Sequence, residues 1–520
     1  MQIFSFSPFG YEGTLVAVEV DLRRGIPAVD VVGLADGAVK ESRERMKVAI
    51  RNSGFEFPTE RVLISLSPAD LKKEGAGFDL ALALAVLDEN SKEKNEKSDA
   101  VLVMGELELS GTIRPVRAVH AAVATAASQG IKFCIVPFAN AAEAREVSGM
   151  CVFGAKTLVD AFDALSNQSL FSDGKTDESA FIPKNCVRLG DVLFPPENQD
   201  LSFSDVRGQK KLIRALQIAA AGGHNVLAFG PPGCGKTLAL ERFGELLPIL
   251  TVEEAQSVTR IWSLAGLLRA NEPLLRVAPF RQPHQTASIE GICGGGTNCR
   301  PGEISLSHNG VLFLDEAAEF KTSVLQMLRV PLESGAITLS RAGRSTVYPA
   351  RFQLLLATNP CPCGNYGVSG KLCLCSARSV EQYWRKFSAP LLDRVDIRVC
   401  VSSSNDFEES SSIESFESTQ DLRKTIATAV SIQRSRQKKR NAELSPQEIA
   451  EFCALSQNDR EKLDEVAFEN DLSKRAVSGI QKLARTIADM AGKNQIESAH
   501  LAEAISLRSN VGPLSVFAGI

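Results

Sequence analysis

The sequence predicts an α/β protein in which two α/β domains are followed by a helical domain, and three observations lead to this prediction. Strand-like and helix-like runs alternate over residues 1–165 and again over 201–401. In the second block, a glycine-rich phosphate-binding pattern stands between a strand and a helix. The last block, residues 420–510, is helical in its pattern.

The length and composition agree with a multidomain globular protein. A chain of 520 residues is too long for one core, and 44% hydrophobic and 23% charged residues are ordinary proportions. Apolar runs such as Leu80–Leu87 are far shorter than the roughly 20 residues that span a bilayer. We therefore expect no membrane contact and, since the N-terminus does not resemble a secretory signal, a cytoplasmic protein. A net charge of -4 means that nucleic acid could bind only at a local basic patch.

Polar segments divide the chain. Residues 166–200, which include SNQSLFSDGKTDES and FPPENQD, are predicted to be a linker. The serine- and acid-rich residues 402–419 are predicted to be a second, flexible linker. The charged stretch Glu89–Asp99 is expected to be a solvated loop inside the first domain.

The strongest motif in the chain lies in NVLAFGPPGCGKTLAL. It matches the P-loop pattern, with an apolar strand before it and a helix-forming run after it. Backbone N–H groups of such a loop close around phosphates, the lysine meets the β- and γ-phosphates, and the hydroxyl ligates Mg²⁺. The sequence thus predicts an ATP site at Gly230, Pro231, Pro232, Gly233, Cys234, Gly235, Lys236 and Thr237.

Two later strands complete this prediction. The apolar run Val311–Leu314 ends in Asp315, predicted to hold Mg²⁺ with Thr237, and Glu316, predicted to activate the attacking water. The next strand, FQLLLAT, leads to Asn359, whose amide could contact the γ-phosphate or the water. Without the other motifs, Asn359 would be an ordinary turn residue before a proline.

Longer runs around these motifs resemble a known family. The resemblance is to the magnesium-chelatase-like AAA+ ATPases, and it is carried by RQPHQTASIEGICGGGTNCRPGEISLSHNGVLFLDE and TNPCPCG. The YifB/ComM branch, whose competence-associated member is a DNA branch-migration helicase, is similar also in VVGLADGAVKESRERMKVAIRNSGFEFP, GELELSGTIRPVRAV and LARTIAD. The resemblance implies a P-loop AAA+ core with a Lon-peptidase-like N-terminal α/β domain and a C-terminal helical lid.

The resemblance also implies roles for two arginines. The segment APLLDRVDI resembles the family's arginine-finger segment, so Arg394 is expected to reach the nucleotide of a neighbouring subunit. The segment LSKRAV resembles the start of the sensor-2 helix, so Arg475 is expected to contact the γ-phosphate from the lid. From the residues alone, each could equally form a surface ion pair. An arginine supplied in trans requires a neighbour, and we therefore expect a homohexameric ring.

The run GAITLSRAGRSTVYPARF predicts a β-hairpin with its turn at Ala342–Gly343. Arg341 and Arg344 would then lie at the tip. In this ATPase class such a hairpin commonly points into a central pore, where two arginines could contact phosphates of single-stranded or branched DNA. A solvated hairpin tip without a ligand is the alternative.

Two other functions remain open. The run KKEGAGFDLALALAVL resembles a Lon-type peptidase, but Gly75–Asp79 offers no Ser or Cys nucleophile, so the first domain is expected to be non-proteolytic. A role as ATPase subunit of a metal-chelatase-like or protein-remodelling complex is the other alternative. Stimulation of ATP hydrolysis by DNA would favour the motor.

A cysteine-rich loop, residues 361–375, follows the strand that leads to Asn359. Its pattern C-x-C-x9-C-x-C could provide four thiolates for a structural Zn²⁺, with four free thiols as the alternative. Such a metal would stiffen the loop between Asn359 and the Arg394 segment. The candidate ligands are Cys361, Cys363, Cys373 and Cys375.

Overall fold

A computed structural model describes most of the chain. The described residues are 2–33, 37–69, 73, 76–91, 99–173, 182–268, 274–341, 344–366, 371–401 and 418–508. The turn predicted at 342–343, most of the linker predicted at 402–419, and parts of the Glu89–Asp99 loop and of the cysteine-rich loop lie outside these residues. Among those described, no helix is long and apolar enough to cross a membrane.

The first unit is built on an eight-stranded mixed sheet. The strand order is β10-β9-β8-β5-β1-β2-β4-β3, and β6 and β7 pair separately. The strands are β1 (Gln2–Ser7), β2 (Thr14–Arg23), β3 (Val29–Val32), β4 (Arg61–Ser67), β5 (Ala100–Val103), β6 (Glu106–Leu107), β7 (Ile113–Arg114), β8 (Phe133–Pro137), β9 (Cys151–Ala155) and β10 (Ser172–Asp173).

Helices cover this sheet, and one of them is buried along most of its length. The helices are α1 (Gly37–Asn52), α2 (Asp79–Asn90), α3 (Val119–Ser128), α4 (Ala141–Ala144) and α5 (Leu158–Ser166). Helix α2 packs against α1, α5 and β2, which explains why its run LALALAVL carries no polar face. Its buried carboxylate, Asp79, is compensated by the Arg45 guanidinium at 2.9 Å.

The segment predicted as a linker at residues 166–200 contains short strands instead. Strand β10 extends the first sheet, while β11 (Val187–Leu189) and β12 (Val192–Phe194) form a hairpin. Val192 and Phe194 are fully buried in the core of the second unit. Because most residues of this segment are polar, the sequence did not predict that these few apolar side chains are buried. Residues 174–181 lie outside the described part.

The second unit contains a parallel sheet of five strands. The order is β14 (Phe280–Arg281), β17 (Gly310–Leu314), β20 (Phe352–Thr358), β13 (Val226–Phe229) and β21 (Ile397–Cys400). The middle strands are buried on both faces, which is why they read as continuous apolar runs. Because all five strands are parallel, their carboxyl ends meet at one edge, where ligands bind in open α/β sheets.

The remaining elements of this unit surround the sheet. The predicted hairpin is present as β18 (Ala336–Arg341) and β19 (Arg344–Pro349), and β15 (Gly294–Gly295) pairs with β16 (Arg300–Pro301). The helices are α6 (Lys210–Gly222), α7 (Lys236–Glu241), α8 (Val252–Ala265), α9 (Ile289–Cys293), α10 (Glu303–Leu306), α11 (Thr322–Met327), α12 (Arg329–Ser334), α13 (Ala377–Arg385) and α14 (Ala389–Leu392).

The third unit is helical and shares one apolar core with the second. Helices α15 and α18 pack on α6, and the same hydrophobic cluster includes residues of the parallel sheet. Serine side chains cap the N-termini of α15, α16, α17 and α18. These helices are α15 (Thr419–Arg436), α16 (Pro446–Phe452), α17 (Gln457–Glu469), α18 (Lys474–Met490) and α19 (Ser498–Arg508).

Candidate nucleotide-binding site

The glycine-rich loop joins β13 to α7 at the carboxyl edge of the parallel sheet. Gly233 and Gly235 have φ angles of +79° and +82°, which glycine adopts without strain. At Gly230 a β-carbon would lie 2.1 Å from the Val401 carbonyl oxygen, so the loop also requires glycine for close packing. The Lys236 ammonium donates to the carbonyl oxygens of Gly230 and Pro231, both at 2.7 Å. The Lys236 side chain therefore turns back and contacts the backbone of the P-loop.

The acidic pair lies directly opposite this loop. Strand β17 ends at Leu314 and places Asp315 so that the Thr237 hydroxyl donates to its Oδ1 atom at 3.2 Å. A hydroxyl and a carboxylate are ordinary donors for Mg²⁺, and these two fit that ion. Glu316 is exposed and has φ +47° and ψ +47°, an unfavourable conformation for a non-glycine residue. Such strain is concentrated at functional sites.

The two motifs line one cleft of about 370 Å³. Asn359, which follows β20, lines the cleft beside Thr358. The Thr358 hydroxyl is 2.9 Å from the Tyr383 hydroxyl, and burial raises the pKa of Tyr383, which keeps the phenol neutral. The structure thus brings together all the residues of the predicted P-loop from Pro232 onward with Asp315, Glu316 and Asn359.

The two predicted arginines lie outside this cleft and next to each other. Arg394 contacts the Glu333 carboxylate, and Arg475 donates to the other oxygen of Glu333 at 3.1 Å. These hydrogen bonds, that of Arg394 first, lower the pKa of Glu333 and keep it ionised. Neither Arg394 nor Arg475, which belongs to α18, is among the described residues that line the cleft, so the contact of Arg475 with the γ-phosphate stays a prediction.

The hairpin arginines are partly engaged by other residues. Arg341 and Arg344 form the last described pair of β18 and β19. The Arg344 guanidinium lies over the Phe9 ring, 3.5 Å from its centroid, and Arg341 is 3.9 Å from the exposed Glu290 carboxylate. The N-terminal domain therefore packs against the hairpin, a contact that the sequence did not indicate.

The cysteine-rich loop brings its four thiols together. The Sγ atoms of Cys361, Cys363, Cys373 and Cys375 all lie within 4.8 Å of one another, and three of the separations are 3.4, 3.6 and 3.7 Å. Tetrahedral thiolates at a Zn–S distance of about 2.3 Å would be about 3.8 Å apart, so these residues fit Zn²⁺. Nearby Gly364 packs on the P-loop, since a β-carbon there would lie 2.7 Å from Pro232 Cδ.

Three further residues contact the predicted site residues, but no sequence motif indicates that they do. Glu333 reads as an ordinary exposed residue of a helix, yet it joins Arg394 to Arg475. Tyr383 reads as a core residue of α13, yet its hydroxyl meets the strand end beside Asn359. The side-chain amide of Gln209 donates to the Cys234 carbonyl oxygen at 2.9 Å and supports the P-loop. Only the folded chain places them there.

The sheet order, the P-loop and the acidic strand end define a P-loop nucleotide-binding ATPase core. Comparison with family models then identifies the family. Residues 202–409 match "Magnesium chelatase, subunit ChlI", residues 18–140 match "Subunit ChlI of Mg-chelatase", and residues 416–508 match "Magnesium chelatase, subunit ChlI C-terminal". The chain belongs to the magnesium-chelatase-like AAA+ family, in its YifB/ComM branch. This membership supports an ATPase that uses ATP and Mg²⁺.

Similarity to individual proteins extends over nearly the whole chain. The competence protein ComM of Haemophilus influenzae is 38% identical over 98% of this chain and 97% of its own length. YifB of Escherichia coli K12 is 38% identical over 96% of this chain and 95% of its own length. The magnesium-chelatase 38 kDa subunit of Cereibacter sphaeroides is 26% identical over only 30% of this chain and 52% of its own length.

Proposed function

We propose that the chain is the subunit of a ring-shaped motor that hydrolyses ATP and acts on single-stranded or branched DNA. The observation that carries the proposal is the meeting of Lys236, Thr237, Asp315 and Glu316 in one cleft. A P-loop opposite an acidic strand end is the arrangement that hydrolyses nucleoside triphosphates.

The residues of the cleft have complementary tasks in hydrolysis. Lys236 exchanges its two carbonyl partners for the β- and γ-phosphates, whose negative charge it stabilises. Thr237 and Asp315 would hold Mg²⁺, which would further neutralise phosphate charge. Glu316 accepts a proton from water as its oxygen attacks the γ-phosphorus, and the bond to the β-phosphate oxygen breaks to release ADP and phosphate. Asn359 orients the water or the γ-phosphate.

A neighbouring subunit completes this site. Among the described residues that line the cleft, Lys236 is the only cationic side chain, whereas Arg394 and Arg475 stand together elsewhere on the surface. An arginine finger typically contributes about 10³–10⁵ in rate. Head-to-tail contact between copies would present the arginine pair of one subunit to the nucleotide of the next, and such contacts close into rings. We propose a homohexamer.

The proposal of DNA as the substrate rests on two observations. The chain resembles the YifB/ComM branch along its whole length, and one such relative is named a competence protein. The hairpin β18–β19 ends in Arg341 and Arg344, which can contact phosphates without regard to sequence. The contact between Arg344 and Phe9 implies that the N-terminal domain helps to position this hairpin.

We further propose that the four cysteines hold a structural Zn²⁺. Four thiolates leave no open coordination position, so the metal would stabilise the loop and take no part in hydrolysis. The backbone N–H of Tyr366 donates to the Cys361 sulphur at 3.3 Å, an arrangement suited to a thiolate.

The alternative, an ATPase subunit of a metal-chelatase-like complex, is favoured by the family's name and by the similarity to chelatase subunits. That similarity covers only 30% of the chain. By contrast, the YifB and ComM relatives match this chain over nearly its whole length, which favours the motor.

The experiment is an ATPase measurement on the full chain, with and without single-stranded and forked DNA. We expect hydrolysis that DNA stimulates and that Lys236→Ala abolishes. Glu316→Gln should retain ATP binding while its kcat falls by about 10²–10⁴, because only the proton acceptor is lost. ATP hydrolysis that DNA leaves unchanged, and that a protein substrate stimulates, would favour a protein-remodelling complex instead.

A further inference from the structure

The cysteine-rich loop exposes two large apolar side chains. Leu372 is 78% exposed and Leu374 is 83% exposed, on either side of Cys373. Leucines on the surface of a folded domain are ordinarily at least partly covered, and two such residues on one short loop mark a contact surface. We call Leu372 and Leu374 the leucine pair.

The leucine pair belongs to a loop that packs on the P-loop. Cys373 Sγ is 3.7 Å from Cys361 Sγ, and Cys361 follows the cleft residue Asn359 by two positions. On the same loop, Gly364 packs against Pro232 of the P-loop. Helix α7 adds Leu238, a half-exposed side chain that lines the cleft itself. One apolar surface therefore borders the half of the site that holds the phosphates.

A second apolar surface borders the two arginines. Met327 is 45% exposed and Val330 is 65% exposed, on the consecutive helices α11 and α12. Leu328, between these helices, keeps helical dihedral angles, so Met327, Val330 and Glu333 follow one another at three-residue spacing on one face. Glu333 is the residue that contacts Arg394 and Arg475. We call Met327 and Val330 the helical patch.

We propose that the leucine pair docks on the helical patch of a second copy of this chain. The proposal rests on the ring of the proposed function and specifies which surfaces form its subunit boundary. Within one subunit the phosphates and the arginine pair are separate, and each is bordered by one of the two apolar surfaces. A second copy that joins the two surfaces also joins the two halves of the site. The contact is heterologous, so it repeats around the ring.

This arrangement gives the cysteine cluster a task in assembly. The proposed Zn²⁺ would join the segment that carries Leu372 and Leu374 to Cys361 and Cys363, whose neighbour Gly364 packs on the P-loop. Any displacement of that loop would move the docking surface and the nucleotide cleft apart. Assembly, ATP turnover and the state of the cysteine cluster are therefore linked in the proposed ring.

The first test replaces both leucines, as Leu372→Ser with Leu374→Ser, in the full chain. Oligomer size is measured by analytical ultracentrifugation with a non-hydrolysable ATP analogue. Binding of a fluorescent ATP analogue is measured in parallel. We expect the concentration for half-assembly to rise more than about tenfold, since apolar area buried at the boundary is lost. Nucleotide binding by the subunit should remain. Matched controls are Ile26→Ser and Phe468→Ser, 86% and 90% exposed, which should leave assembly unchanged.

A charge-pair rescue identifies the partner surface. Leu374→Glu alone and Val330→Lys alone should each impair assembly, and the two together should restore it, because opposite charges then meet across the boundary. Recovery would also show that the single variants are folded. If the leucine variant assembles like the unaltered protein, or if the charge pair gives no recovery, the docking proposal is wrong, and the proposed ATPase ring is not contradicted by that result. If the unaltered protein neither assembles nor hydrolyses ATP, the proposed function itself fails.

Discussion

The charged side chains predicted to contact the nucleotide are engaged by other groups of the same chain. Lys236 donates to two carbonyl oxygens of its own loop, and these contacts must be exchanged for phosphate oxygens on binding. Glu333 pairs with both Arg394 and Arg475, the two arginines proposed to contact phosphate. In the proposed ring, the nucleotide of a neighbour would therefore compete with the Glu333 carboxylate for the arginine pair.

A buried carboxyl group near the contact between the N-terminal domain and the ATPase unit makes stability depend on pH. Burial raises the pKa of Glu143 to about 7, although the Asn140 amide donates to its Oε1 atom at 2.7 Å. In the unfolded chain this group ionises near pH 4.5, so between pH 4.5 and 7 only the folded state keeps its proton. The contribution of Glu143 to stability is therefore present below pH 4.5 and falls as pH rises to 7.

We predict that Glu143→Gln stabilises the protein at pH 8 by roughly 1–3 kcal/mol, because the amide never ionises. The thermal unfolding midpoint should rise at pH 8, and the difference from the unaltered protein should shrink towards pH 5. The control is Glu465→Gln at an exposed position on α17. It should leave the thermal unfolding midpoint unchanged at both pH 8 and pH 5. If Glu143→Gln raised the unfolding midpoint equally at pH 5 and pH 8, the Glu143 carboxyl would not titrate in this range.

At the scale of elements, the strand β20 and the loop after it connect the nucleotide to the cysteine cluster. Asn359 lines the cleft, and the indole N–H of Trp384 on α13 donates to the Pro360 carbonyl oxygen at 3.0 Å. Cys361 comes next and is fully buried. A change at the four thiols therefore acts on the backbone that carries Asn359.

We predict that removal of zinc lowers thermal stability and weakens ATP binding together. Protein purified under reducing conditions should contain one zinc per chain by inductively coupled plasma mass spectrometry. A strong chelator, or Cys363→Ser with Cys373→Ser, should remove it and lower the unfolding midpoint. Cys400→Ser, at an exposed cysteine outside the cluster, is the control and should keep its zinc. The absence of stoichiometric zinc in the unaltered protein would contradict the prediction.

At the scale of the whole molecule, the proposed ring makes a boundary between two copies the active unit. Arg394 and Arg475 do not line the cleft of their own chain, so a chain that lacks Arg394 can still contribute an intact P-loop to a neighbour with an intact arginine. The two defects Lys236→Ala and Arg394→Ala then affect opposite sides of each boundary.

We predict that equimolar mixing of Lys236→Ala and Arg394→Ala chains restores ATP hydrolysis that neither has alone. With random assembly about a quarter of the boundaries would combine an intact P-loop with an intact arginine. The measurement is steady-state ATP turnover after subunit exchange. A mixture of Lys236→Ala and Glu316→Gln chains is the control, because both defects then lie on the same side of the boundary. Turnover in the first mixture no higher than in the control would place Arg394 outside the site.

The sequence alone determined the α/β class, the family and the residues that meet in the cleft. These features depend on local patterns: apolar strands ending in a P-loop, an acidic pair or an asparagine, whose parallel arrangement places their ends together. The segment at residues 166–200 read as a linker because its short strands are anchored by only a few buried side chains.

The tertiary structure decided which side chains share a surface. It joined Arg475 and Arg394 to one carboxylate, that of Glu333, and set Phe9 against Arg344. These pairs are separated by tens to hundreds of residues, and each partner is an ordinary charged or aromatic residue in its own segment. Local periodicity carries no information about such contacts, because they depend on how whole elements pack.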